Sequence, residues 1–189
     1  MKKYKDFPAL ILCGGKGLRL RPITNDTPKP LIEINKQPIL YYIINHLQKY
    51  KINKFIIATG YKSKKIEAFM KKKFSKLPYQ IINSGNVSIL SRIKDSLKVI
   101  KDDFLLCYGD TITDININKL ITHHKQQPNS VTISSYPITI PFGVMGIDKD
   151  QVKSFDEKPI LSDVMNIGYY YFTKKFHKII LKQRDLVGL

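Results

Sequence analysis

Between Ala9 and Ile32 the chain reads A-L-I-L-C-G-G-K-G-L-R-L-R-P-I-T-N-D-T-P-K-P-L-I, and no other stretch so narrows what it can fold into. An apolar run, Ala9 to Leu12, breaks at Gly14, Gly15 and Gly17, then continues into Arg19, Arg21, several prolines and Lys29. This order predicts a buried strand entering a loop whose backbone can come close to an anion. Glycines have no Cβ and tolerate φ > 0, so successive N–H groups can turn inward around phosphate oxygens. Arg19 and Lys29 would add full charges beside such a phosphate chain. Two familiar glycine patterns do not fit. Leu20 stands where the third dinucleotide-fold glycine belongs, and there is no G-x-x-x-x-G-K-[ST].

The rest of the first two thirds alternates strand and helix. Phe7 to Cys13, Lys54 to Thr59, Tyr79 to Ile82 and Asp103 to Tyr108 read as buried strands. Between them lie helices with apolar residues every three or four positions. One has Pro38 as its first residue and Leu40, Ile43, Ile44 and Leu47 on its face. The next is capped by Ser63 and carries Ile66, Phe69, Met70 and Phe74. A third spans Ser88 to Ile100. The pattern implies an α/β fold, a Rossmann-like, mostly parallel sheet flanked by helices with right-handed crossovers. Ligands of such sheets bind at the carboxyl ends of the strands. Gly14 to Gly17, Ser84-Gly85 and Gly109-Asp110 all fall there.

After a helix around Ile117 to His124 the texture changes. Val131 to Tyr136, Phe142 to Ile147, Gln151 to Phe155 and Asn166 to Phe172 read as strands with short connections, predicting antiparallel additions in the C-terminal half, over the ligand face. A last helix covers about Lys174 to Lys182. Residues 1–189 are expected to form one domain.

The net charge of +17 admits nucleic acid, an acidic surface or anionic substrates as partners. Only Arg19, Arg21, Arg92 and Arg184 are arginines among 32 cationic side chains, and the lysines are scattered in short groups. That distribution favours a solvated surface and an attraction for nucleoside triphosphates over a nucleic-acid footprint. No apolar run approaches the ~20 residues that cross a bilayer. The basic start, Met1 to Asp6, leads straight into the glycine loop rather than into a signal-peptide core, so a cytoplasmic location is expected. Cys13 and Cys107 lie in apolar runs and read as small buried hydrophobes.

Gly14-Gly15-Lys16-Gly17-Leu18-Arg19-Leu20 followed by Pro28-Lys29-Pro30-Leu31 resembles the signature of the sugar-phosphate nucleotidyltransferases, the nucleotide-sugar pyrophosphorylases. The resemblance covers nearly the whole chain. It implies nucleotide contacts from Leu12, Gly14, Gly15, Gly17 and Gly109, with Arg19 on the leaving pyrophosphate and Lys29 near the α-phosphate. Asp110 closes the Tyr108-Gly109-Asp110 strand end, and from its residues alone it could be a metal ligand or a turn cap. The resemblance makes it the Mg²⁺ ligand. Gly143, Glu157, Lys158, Asn166 and Gly168 match the family's sugar-phosphate pocket; taken alone, Glu157-Lys158 could be a surface pair and Asn166 to Gly168 a bulge.

Within the family the chain is most similar to the branch that joins CTP to glucose 1-phosphate, through Phe55 to Lys62, Tyr108 to Asp110 and Val152 to Pro159. Arg92 falls where that branch has an arginine near the cytosine or the phosphates. Ile89-Leu90-Ser91 replaces the branch's Thr-Gly-Gly, which predicts a changed base preference or weaker nucleotide binding. Family members also continue past the position of Leu189 with a segment that supplies a second metal-binding Asp and much of the oligomer contact. The expectation is therefore a nucleoside triphosphate and a phosphorylated acceptor as partners, with a homo-oligomer possible. Another phosphorylated acceptor, or a catalytically impaired nucleotide-binding protein, are the alternatives.

Overall fold

The computed structural model describes residues 7–184. In chain order its strands are β1 (Ala9–Cys13), β2 (Glu33–Ile34), β3 (Gln37–Pro38), β4 (Phe55–Thr59), β5 (Tyr79–Asn83), β6 (Phe104–Tyr108), β7 (Val131–Thr139), β8 (Val144–Asp148), β9 (Gln151–Asp156) and β10 (Ile160–Phe172). The helices are α1 (Ile39–Lys49), α2 (Ser63–Phe74), α3 (Ile89–Leu97), α4 (Ile117–Lys125) and α5 (His177–Lys182).

The main sheet has the order β5-β4-β1-β6-β10-β7. Its first four strands are parallel, as the alternation of strand and helix implies. Their register brings Cys13, Thr59 and Asn83 level with one another, and Leu12 level with Tyr108. Every loop leaving these strands thus starts from one edge of the sheet.

Side chains alternate across a strand. Ala9, Ile11 and Cys13 enter one core with α1, α2 and α4, while Leu10 enters the other with Phe104, Leu106, Leu97 of α3 and Ile180 of α5. Ile39, Leu40, Ile43, Ile44 and Leu47 put the whole apolar face of α1 in the first core. Each such burial contributes roughly 1.5–3 kcal/mol.

Three helix starts differ from the sequence reading. Pro38 is not the first residue of α1. It ends β3 with an extended ψ of 148°, and the helix begins at Ile39. Ser63 lies inside α2 rather than capping it, and Lys62 precedes the helix at φ 50°. The Ser63 hydroxyl is engaged elsewhere, 2.8 Å from Thr59 Oγ1 and 2.6 Å from Glu67 Oε1. Ser88, read as the first residue of a helix reaching Ile100, is instead the cap of α3, its Oγ accepting the Ser91 N–H at 3.0 Å, and α3 ends at Leu97.

The antiparallel additions are present, in two parts. β10 runs antiparallel beside β6, and β7 beside β10, so they extend the main sheet. β8 and β9 form a separate hairpin. Among the described residues no helix is long and apolar enough to cross a membrane.

Candidate active site

The loop after β1 is held from behind. Gly17 has φ 63°, and a Cβ there would lie 2.9 Å from Thr24 Cγ2. Thr24 is buried, and its hydroxyl donates to the Gly17 carbonyl at 2.9 Å. Behind it the Tyr61 hydroxyl donates to the Thr24 carbonyl at 2.8 Å, and the Tyr61 N–H to the Gly14 carbonyl at 3.2 Å. These bonds occupy carbonyls on the inner side of the loop.

At the end of β6, the Gly109 N–H donates to the Leu12 carbonyl at 2.9 Å. A Cβ on Gly109 would come within 2.6 Å of Cys13 Sγ and 2.7 Å of that carbonyl oxygen. This close approach brings Asp110 beside the glycine loop. Lys29 opens a one-turn 3₁₀ segment, Lys29–Leu31, and its Nζ lies 2.6 Å from Asp110 Oδ2. Both side chains are about one third exposed, at 37% and 31%.

The loop, Lys29 and Asp110 line one cavity of about 480 Å³, together with Leu12, Arg19, Ile89 and Tyr108. That volume is in the range of small-ligand pockets. Lysine, arginine and loop backbone around one space can neutralise a polyanion. Among the described residues no three His, Cys, Asp or Glu side chains gather into a metal cluster. Mg²⁺ needs only one or two carboxylates when substrate phosphates and water complete its shell, so Asp110 fits that ion.

Arg92 is 4% exposed. Its Nη1 donates to the Thr59 carbonyl and its Nη2 to the carbonyls of Gly85, at 3.0 Å, and Val87, at 3.4 Å. Burial pushes this guanidinium below its ordinary value; arginine stays charged nonetheless. Arg92 borders the cavity, but its donors point to backbone.

Burial likewise pushes both free thiols, Cys13 and Cys107, upward, which suits buried packing and not nucleophilic work. Tyr170, whose hydroxyl lies 3.0 Å from that of Tyr108, is pushed up to about 12 by burial and then by that hydrogen bond.

The expected sugar-phosphate residues stand apart. Gly143, Glu157, Lys158, Asn166 and Gly168 are outside the lining of this cavity. Gly143 lies in the turn before β8, where a Cβ would collide with the Phe155 ring. Glu157 and Lys158 are exposed, 3.8 Å apart, in the turn between β9 and β10. Asn166 Oδ1 accepts the Gly168 N–H at 2.8 Å across an irregularity in the β10 pairing, and Gly168, at φ 72°, packs its backbone on the Tyr108 ring.

The roles of Thr24, Tyr61 and Gly60 at the loop escaped the sequence reading, in which Gly60 only ended a strand and Gly60-Tyr61 fell within the Phe55 to Lys62 match. A glycine directly after a buried strand was the available signal for Gly60, whose Cβ would collide with the Gly85 carbonyl oxygen. Nothing local marks Thr24 or Tyr61, because their partners are 7 and 37 residues away.

A parallel sheet with a ligand-sized cavity at its carboxyl edge defines an α/β protein with its ligand site at the strand ends, and solved structures share this fold. HddC from Yersinia pseudotuberculosis, 26% identical, superposes with a TM-score of 0.72 over 92% of this chain and 80% of its own. The same protein has been solved complexed with GMP-PN. The model of the nucleotidyl transferase family matches residues 8–187, and the chain belongs to that family. A probable glucose-1-phosphate cytidylyltransferase of Bacillus subtilis is 33% identical over 88% of this chain and 75% of its own length. D-glycero-alpha-D-manno-heptose 1-phosphate guanylyltransferase of Campylobacter jejuni is also 33% identical, over 93% and 80%. The chain thus falls among the sugar-phosphate nucleotidyltransferases, as its glycine loop and Pro-Lys-Pro-Leu segment imply.

Proposed function

We propose that this protein transfers a nucleotidyl group from a nucleoside triphosphate, CTP by preference, to a sugar 1-phosphate. The 2.6 Å contact of Lys29 with Asp110 in the glycine-loop cavity supports this reading most directly. A phosphate oxygen of the acceptor attacks the α-phosphorus, a new P–O bond forms, and the bond to the β-phosphate oxygen breaks to release pyrophosphate. Positioning and charge neutralisation suffice for such a step. The backbone of Gly14, Gly15 and Gly17 cradles the triphosphate, Arg19 meets the leaving pyrophosphate, and Lys29 turns from Asp110 to the α-phosphate. Asp110 would hold Mg²⁺, which would supply charge neutralisation to the phosphates. Glu157, Lys158, Asn166, Gly143 and Gly168 receive the sugar phosphate.

GTP is the second reading, supported by the equal similarity to a cytidylyltransferase and a guanylyltransferase, with Ile89 on the cavity wall. Pyrophosphate release tests both, offering CTP, GTP, UTP, ATP and dTTP with glucose, mannose or heptose 1-phosphate. Release with CTP and glucose 1-phosphate is expected. Binding of a triphosphate without release by any pair would replace this reading with that of an impaired nucleotide-binding protein.

Gly15 gives a sharper test of the cradle. A Cβ there meets nothing within 4 Å. Gly15→Ala therefore changes stability by no more than about 0.5 kcal/mol, yet it is expected to weaken triphosphate binding about tenfold or more by blocking close approach of phosphate oxygens.

We also propose that a second copy covers the exposed apolar residues Phe142, Met145, Ile147, Val152, Phe155 and Ile160. Their segment, residues 140–165, holds Asp148, Asp150, Asp156, Glu157 and Asp163 against only three lysines, in a chain of net charge +17. Two copies can meet there with their lysine-rich surfaces kept apart. Phe155→Glu is expected to shift a dimer to monomer in sedimentation equilibrium; a wild-type chain monomeric at all concentrations removes the proposal.

A further inference from the structure

Arg92 makes contacts that a nucleotide ligand would not need. Its guanidinium joins three carbonyls from two stretches that reach the cavity edge separately, Thr59 at the end of β4, and Gly85 and Val87 after β5. It also lies directly beneath β1's loop. A Cβ on Gly14 would collide with Cζ, Nη1 and Nε of Arg92, which are the three nearest atoms to it. A Cβ on Gly60 would lie 2.8 and 2.9 Å from the two terminal nitrogens. The stem is fixed as well. Ser88 caps the helix that carries Arg92, and the Ser96 hydroxyl donates to the Arg92 carbonyl at 2.9 Å.

Strand-end carbonyls in a parallel sheet lose ladder partners where the loops diverge; the Thr59 carbonyl keeps one, the Ser84 N–H at 3.2 Å, and has a lone pair left for Arg92. A planar group with five fixed donors can gather several of them at once while lying flat, whereas a lysine carries its three donors on a single nitrogen and offers no such plane. Glycine at positions 14 and 60 leaves room for that plane to lie flat against the backbone.

We infer that Arg92 is a positioning residue, a buried plate on which the Gly14 backbone rests and which sets the height of the glycine loop relative to β4 and β5. This role deepens the proposed function and rests on it only for the nucleotide readout. Arg92 acts through Gly14 and not by touching the nucleotide.

The test is a double-mutant cycle with two readouts. Amide hydrogen exchange of residues 14–17 and 61, on the protein without ligand, reports the loop. Dissociation constants for CTP and GTP in Mg²⁺ report its effect on binding. Gly14→Ala and Arg92→Ala are each expected to speed loop exchange about tenfold or more. In the Arg92→Ala background, Gly14→Ala should add little, because the three atoms nearest to the new methyl group are gone. Methylguanidinium in solution should slow exchange again in Arg92→Ala and not in the double variant, where the new methyl group fills the seat. If Arg92→Ala does not fold, Arg92→Lys replaces it and is expected to show fast loop exchange with its charge intact.

Independent, additive effects of the two substitutions overturn the inference. So does wild-type loop exchange in Arg92→Lys with weakened triphosphate binding, the signature of a direct phosphate ligand. The exchange readout needs no substrate. A chain that binds no triphosphate would therefore remove the functional reading and leave the plate still decided by its own measurement.

Discussion

The parallel half of the sheet and the C-terminal arm both carry large apolar residues in strands, yet those residues end in opposite environments. All but the last residue of β6 is buried, whereas every residue of β9 is exposed, including Val152 and Phe155 at 58% and 61%. β6 sits between β1 and β10 with helices on both faces; β9 pairs with β8 alone. A large apolar residue in a strand is therefore not core by itself; the number of layers around the strand decides. The difference extends to the site. The parallel half delivers its loops to one edge and one cavity, and the lining of that cavity does not include Gly143, Glu157 or Lys158 of the arm.

Several measurements sharpen or break this contrast. If chemistry belongs to the parallel half, Lys29→Ala and Asp110→Ala should each cut pyrophosphate release about 100- to 1,000-fold or more without lowering the melting temperature. Glu157→Gln or Lys158→Ala with an equal loss and unchanged acceptor KM would move the chemistry to the arm.

Stability should divide in the same way. Phe104 is fully buried and stacks on Phe172 at a ring separation of 5.0 Å. Phe104→Ala is expected to cost about 3–5 kcal/mol in urea unfolding. Phe155→Ala, in the arm that the single chain leaves exposed, should change unfolding of the monomer at low concentration by no more than about 0.5 kcal/mol. A loss that grows with protein concentration is expected where a second copy covers the arm.

A smaller effect concerns pH. His124 is 4% exposed, with Nδ1 2.8 Å from Thr132 Oγ1, and burial holds it below its ordinary value against a weaker opposite pull from Asp103. His46 and His177 are lowered too, chiefly by burial. The unfolded chain then takes up protons first as pH falls through about 6.5. Stability from these groups is full above that value and is lost on acidification, so the melting temperature should fall between about pH 7 and 5. His124→Gln should flatten part of that slope.

Much of the architecture was legible because it is local. The strand Phe7 to Cys13, the glycine break and the Pro-Lys-Pro segment are read within a few residues, and they put the loop, Lys29 and Asp110 around one cavity as the alternation of strand and helix suggests. The destination of Arg92 was not legible. Its position in a helix start says nothing about Thr59, 33 residues earlier, whose carbonyl accepts Arg92 Nη1 beside the Ser84 N–H. Ser63 shows the same limit, since a hydroxyl suited to capping was drawn instead to Thr59 and Glu67.

By itself, then, the sequence determined where strands and helices form, which strand ends carry glycine and charge, and the family to which the chain belongs. These follow from hydrophobic period and backbone freedom, both properties of neighbouring residues. Only the tertiary structure decided which apolar strands are covered, that Lys29 meets Asp110, and that Arg92 lies under Gly14. Those outcomes depend on strand order and register, which bring together groups that the chain itself holds far apart.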